Sequence, residues 1–148
     1  MRFNTKIRYG IRTMIEIAMN TGDEGVLQKQ ISKNQSISNK YLDQIIASLK
    51  ASGLISNVAG KKSGYILTRA PKDITMYDIY TAFEIDVIKT TEKQNDKECP
   101  DGLNCAAKEF WDGLNNHIVA YMKSVNLFDL VSRQRQIVSE LQGNMYYI

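Results

Sequence analysis

The 148-residue sequence has one histidine, two cysteines and no long apolar run. A membrane-spanning helix needs roughly 18 consecutive apolar residues. No stretch approaches that, so no membrane partner is expected. The start, MRFNTKIRYG, is basic but has neither the apolar run nor the cleavage site of a signal peptide, and the expected location is the cytoplasm. A single histidine, His117, leaves little for acid–base chemistry. There is no Ser/His/Asp set and no glycine-rich phosphate loop behind a strand, so an enzyme is not expected. The two cysteines, Cys99 and Cys105, make a poor structural staple in an intracellular chain; they read as free thiols, a redox pair or part of a metal site.

What is present is an ordinary globular composition with an uneven charge. Residues 1–70 hold eleven Lys or Arg against four Asp or Glu, a net +7, whereas residues 71–148 hold eight against twelve, a net −4. A basic half can displace counterions from phosphates, and an acidic half is repelled by them. The apolar positions divide the chain further. Thr5 is placed to cap a helix carrying Ile7, Ile11, Met14, Ile15 and Ala18 on one face. A short helix with Leu27 and Ile31 inward follows, then a tight connection at Gln35, Ser36 and Ile37. Ser38 caps a third helix whose inner face is Tyr41, Leu42, Ile45, Ile46 and Leu49, and Gly53 closes it. LISNV and YIL alternate as strands around the loop AGKKSG, giving a hairpin with Lys61 and Lys62 at its tip.

Three helices and a basic hairpin outline a winged helix-turn-helix over residues 1–70. In such a unit the start of the third helix enters the major groove. Ser38, Asn39, Lys40 and Gln44 are the exposed candidates there: Asn and Gln pair with adenine, and Lys reaches guanine or a phosphate. The wing lysines position the protein on phosphates more than they specify sequence. The alternative is a winged-helix adaptor that recognises a protein instead of double-stranded DNA; the basic N-terminal half favours DNA.

The segments MRFNTKIRYGIRTMIEIA, ISKNQSISNKYLDQIIASLKASGLISNVAGKKSGYIL and ITMYDIYTAFE resemble the bacterial winged-helix regulators that include the iron–sulfur cluster regulator, the nitric-oxide-sensing repressor and the cysteine metabolism repressor. The likeness covers residues 1 to about 130, and the ending MYYI resembles that of the last of these. It implies a homodimer on a partly palindromic operator, usually repressing. It places DNA contacts on Ser38, Lys40, Tyr41 and Asp43 and on the wing at 60–63, including Ser63, with Thr5, Lys6, Arg8 and Tyr9 of the first helix as further candidates. Ala59 stands where relatives often have arginine, which alters the expected operator. A protein effector that controls DNA binding without cysteine chemistry is a further partner the resemblance allows.

The second half reads as a connecting helix at 71–88, a cysteine-containing sensing loop at 89–104, a dimerisation helix at 105–125 and a short helix with a C-terminal tail at 126–148. Thr75 and Asp78 form a capping-box pair. Ala107, Trp111, Leu114, Ile118, Tyr121 and Val125 are spaced as an a/d seam about 28 Å long at 1.5 Å per residue. Such a seam suits a second copy, though a helix lying on its own core gives the same pattern. The expected fold is thus mostly α with a small β-hairpin, an N-terminal winged helix-turn-helix and a long C-terminal dimerisation helix.

A helix N-terminus stabilises a thiolate, which favours Cys105 as the reactive thiol, whereas Glu98, Asp96 and Asp101 oppose ionisation of Cys99. Cluster-binding relatives carry C-x5-C-x5-C in this loop. Cys99 and Cys105 match the second and third positions; Lys93 occupies the first, and Lys108 stands where some relatives have histidine. An iron–sulfur cluster is therefore a cofactor with an incomplete ligand set, to be completed from Glu92, Glu98, His117 or a partner's first helix, and no cofactor is assigned. A thiol–disulfide switch and inert remnants are the other two readings.

Overall fold

The computed structural model describes residues 3–20, 22–59, 64–84 and 104–145. Helix α1 (Thr5–Met19) buries Ile7, Met14, Ile17 and Ala18, with Ile11 and Ile15 packed at the edge of the same core. Its cap is Asn4 and not Thr5: Asn4 Oδ1 accepts a 2.9 Å hydrogen bond from the amide of Lys6, and Thr5 is the first helical residue. Asparagine outranks threonine at this position, which moves the start back by one residue.

Strand β1 (Val26–Leu27) precedes α2 (Gln28–Gln35). Leu27, expected inward on a helix, is 40% exposed on this strand, while Val26 is buried. Successive strand residues face opposite sides, so only one of the two can reach the core. After α2 the chain turns at Ser36, which adopts a left-handed φ of 53°, and Ser32 Oγ donates to the Ile37 carbonyl at 2.6 Å. Ser38 then caps α3 (Asn39–Ala51), its hydroxyl accepting from the Tyr41 amide at 3.2 Å. Leu42, Ile45, Ile46 and Leu49 point into the core. Each such burial stabilises by roughly 1.5–3 kcal/mol, enough to fix which face of α3 is left for solvent. Gly53, at a φ of 76°, supplies the left-handed residue that ends the helix.

The wing strands β2 (Ile55–Asn57) and β3 (Gly64–Leu67) pair antiparallel, with Ser56 opposite Ile66. β3 also pairs with β1, giving a three-stranded sheet in the order β1-β3-β2. A Cβ at Gly64 would lie 1.8 Å from the Glu24 carbonyl oxygen, so the close approach of the chain entering β1 requires glycine there.

A 3₁₀ turn (Pro71–Asp73) leads to α4 (Met76–Thr81), capped by the expected pair: Thr75 N donates to Asp78 Oδ2 at 2.9 Å and Asp78 N to Thr75 Oγ1 at 3.1 Å. Helices α5 (Ala106–Ser124) and α6 (Leu127–Met145) complete the described chain. The junction between them is sewn to the start of α4: Met76 N donates to Val125 O at 2.9 Å and Leu127 N to Ile74 O at 2.8 Å. Asn126 and Asp129 cap α6 reciprocally. The last helix is 19 residues long, not the short helix and tail expected. Only Leu127 and Val131 of it are buried. Beyond them SRQRQIVSELQ has good helix formers but few apolar positions, so propensity carries the helix past the point where periodicity fades.

Candidate nucleic-acid interface

Capping and burial leave one face of α3 open. Ser38, Asn39, Lys40, Asp43 and Gln44 are all exposed on it. Beside this face the starts of α1 and α3 meet in an open cleft of about 410 Å³ lined by Thr5, Tyr9, Ser36, Ile37, Ser38 and Tyr41. The Tyr9 and Tyr41 rings pack edge to face at 5.7 Å, and the Arg12 guanidinium lies 5.1 Å from the Tyr9 ring centre. Hydroxyl groups and two helix N-termini thus surround one cavity, an arrangement whose dipoles favour an anion.

Behind the α3 face is a second set of polar contacts. Gln28 Nε2 donates to Asp43 Oδ1 at 2.6 Å and to the Asn39 carbonyl at 3.3 Å. The Tyr65 hydroxyl of β3 donates to Gln28 Oε1 at 3.4 Å. Burial, and then the nearby Asp43 charge, raise the Tyr65 phenol above its ordinary pKa, so it keeps its proton and remains a donor at neutral pH. Lys50 reaches Asn57 Oδ1 at 2.7 Å and lies over the Tyr65 ring. These contacts tie α3 to the wing and to the first residue of α2.

The structure therefore brings Thr5, Tyr9, Ser38 and Tyr41 together in one cleft, with Asn39, Lys40, Asp43 and Gln44 on the adjoining face. Lys6 is half-buried and Arg8 exposed on α1, outside the cleft lining. Lys61, Lys62, Ser63 and Cys99 lie outside the described residues. Sequence reasoning missed Gln28 and Arg12 as parts of this surface. Arg12 is one turn beyond Tyr9, a spacing that could have paired them; Gln28 meets Asp43 and Tyr65 only through the fold, and no spacing signals it.

Cys105 is the N-cap residue of α5, as expected, and is disulfide-bonded, the oxidised state of the redox pair among the readings of the two cysteines. Among the described residues no three His, Cys, Asp or Glu side chains come together to hold a metal ion. His117 lies twelve residues along α5 from Cys105, about 18 Å at 1.5 Å per residue. The described donors do not make up an iron–sulfur site, which is built from thiolates. Of the seam on α5, Trp111 is 43% and Tyr121 71% exposed, Leu114 and Ile118 are half-buried, and Val125 packs on the core of its own protomer.

Three helices, an antiparallel wing and a long C-terminal helix define a winged-helix regulator. The chain belongs to the Rrf2 family, described as iron-dependent transcriptional regulators, whose model matches residues 3–133. It is similar to the HTH-type transcriptional regulator IscR of Yersinia pseudotuberculosis, 30% identical over 97% of this chain and 88% of that protein. Among solved structures it is similar to CymR, the global cysteine regulator of B. subtilis, with a TM-score of 0.70 and 28% identity over 89% of this chain and 97% of that one. A second is T. potens IscR, with a TM-score of 0.72 and 29% identity over 90% and 88%. The protein is a DNA-binding transcription regulator.

Proposed function

We propose that two copies of this chain bind a palindromic operator, each placing α3 in a major groove. The cleft lined by Thr5, Tyr9, Ser38 and Tyr41 carries this reading: it offers hydroxyl donors and two helix N-termini to a backbone phosphate while Asn39, Lys40, Asp43 and Gln44 face the bases. Lys61, Lys62 and Ser63 act on phosphates beside the groove, and Lys6 and Arg8 add positive charge on the α1 side. The α5 helices pair through Trp111, Leu114, Ile118 and Tyr121, which sets the recognition helices about 34 Å apart, one DNA turn. A regulator of chromosomal genes works in the cytoplasm.

The test is anisotropy on a palindromic duplex across a salt series. A dimer neutralising about six phosphates loses roughly 10³-fold in affinity between 50 and 200 mM salt. Affinity that is flat over that range overturns the reading.

The disulfide at Cys105 favours a thiol–disulfide switch over a cluster as the signal. In that switch the Cys105 and Cys99 thiols give up two electrons and two protons to a cellular oxidant as one S–S bond forms, and a reductant reverses it. Its position at the start of α5 carries the change to the proposed dimer helix.

A further inference from the structure

We infer that Gln28 is a positioning residue for base recognition, holding the Asp43 carboxylate in the orientation that accepts a hydrogen bond from a cytosine amine. The inference rests on the reading above that α3 lies in the major groove.

A carboxylate on a DNA-facing helix carries the same sign of charge as the phosphates. On the DNA side it needs a base donor, and the exocyclic N4 amine of cytosine is the match in the major groove. The outer torsion of an aspartate is broad, so an unsupported Asp43 samples many directions. Gln28 removes that freedom. Its Nε2 donates to Asp43 Oδ1 at 2.6 Å, the short distance of a charge-assisted bond. Gln28 is itself held from both ends: Nε2 also donates to the Asn39 carbonyl at 3.3 Å, and Oε1 accepts from the Tyr65 hydroxyl at 3.4 Å. Turning the amide over would set Oε1 against two acceptors, so a single orientation survives.

Backbone geometry fixes the rest. Gln28 is the first residue of α2 and follows β1 directly; in the sheet Val26 of β1 lies opposite Tyr65 of β3. The wing strand, the start of α2 and the recognition helix thus meet at one side-chain amide. Because that amide is neutral, it orients Asp43 without cancelling its charge, and the carboxylate keeps its capacity to accept from a base. A lysine at this position would orient it equally well but neutralise it.

The experiment selects binding sites from a randomised duplex library with the full-length protein and compares wild type, Gln28→Leu, Asp43→Ala and the double variant. Leucine keeps the bulk of Gln28 and cannot donate. Wild type is expected to select a cytosine at one position of each half-site, and Asp43→Ala to lose that preference. Gln28→Leu should relax it at the same position by about tenfold, the scale of one base contact, with other positions and the salt slope unchanged. The double variant should match Asp43→Ala, since residues acting through one contact are not additive.

An unchanged cytosine preference in Gln28→Leu overturns the inference alone, provided Asp43→Ala loses it. Uniform loss at every position, or additive effects in the double variant, also overturns it, because either makes Gln28 a structural or separate contact. If Asp43→Ala changes no position, the placement of Asp43 on a base fails and the inference fails with it.

Discussion

Glu16 of α1 accepts a 2.6 Å hydrogen bond from Nδ2 of Asn34, in the last turn of α2. The same oxygen, Oε1, also accepts from Asn20 Nδ2 at 3.1 Å, and Oε2 accepts from Gln35 Nε2 at 2.8 Å. Arg12 Nε donates to Gln35 Oε1 at 3.0 Å, and the guanidinium also reaches the Gln35 carbonyl. A buried carboxylate thus holds the end of α2 immediately before the left-handed turn at Ser36 that aims α3. Hydrogen bonds to a charged group contribute about 1.5–3 kcal/mol. Glu16→Ala is therefore expected to lower the unfolding free energy by about 2 kcal/mol, read as a lower urea midpoint with unchanged m-value. Glu16→Gln turns one acceptor into an amide NH2 facing donors already there and should recover only part of the loss. An Ala variant with the wild-type midpoint would show that the network adds nothing to stability.

The sequence made the DNA-reading half legible where one rule decided each step. Ser38 before an apolar-periodic run announced α3, Gly53 its end, and Thr75 with Asp78 the start of α4, because capping is local chemistry read within four residues. The wing was visible for a similar reason, as alternation around a glycine loop. β1 was not, since two residues carry no period and Val26–Leu27 becomes a strand only by pairing with β3. The length of α6 was lost because most of it is held by helix propensity with little burial. At the site, residues on one helix face were found from spacing. Gln28 was invisible because its partners are 15 and 37 positions away.

Ser38 separates fold from recognition. Its hydroxyl caps α3 and lines the cleft proposed for a phosphate. Ser38→Ala should cost about 1 kcal/mol of stability and also weaken DNA binding, whereas Ser38→Asp restores the cap. The aspartate, however, places a negative charge against the phosphate. Thermal unfolding should show Ser38→Asp near wild type, while anisotropy shows it binding DNA worse than Ser38→Ala. Equal DNA affinity of the two variants would remove the cleft from the interface.

No residue of α5 is buried within the protomer, yet Phe110, Trp111 and Tyr121 stand exposed along it. Exposed aromatic clusters mark partner surfaces. Aromatic anchors at interfaces contribute about 2 kcal/mol or more each, or about 30-fold in a dissociation constant. Trp111→Ala and Tyr121→Ala should each weaken the dimer by that factor in sedimentation velocity, with far-ultraviolet circular dichroism unchanged. A monomeric wild type, or a dimer indifferent to both changes, would place the interface elsewhere.

The disulfide at Cys105 sits where a covalent change can act on that same helix, because Cys105 is its N-cap. In the proposed switch, forming or opening the bond would change how α5 starts and so the separation of the two α3 helices in the proposed dimer. Couplings between a sensor and a binding site typically span 5–150-fold in affinity. Wild-type protein treated with diamide and with dithiothreitol should differ in operator affinity by at least about 5-fold, and Cys105→Ser should behave alike in both. The competing cofactor is checked on the same preparation: protein purified without oxygen should be colourless and free of iron. Iron bound in stoichiometric amount with visible charge-transfer absorbance, lost in Cys105→Ser, would replace the disulfide with a cluster as the signal. An iron-free protein whose affinity ignores oxidant, reductant and the serine variant would leave Cys105 without a sensing role, and the regulator would then answer to a ligand or protein at another surface.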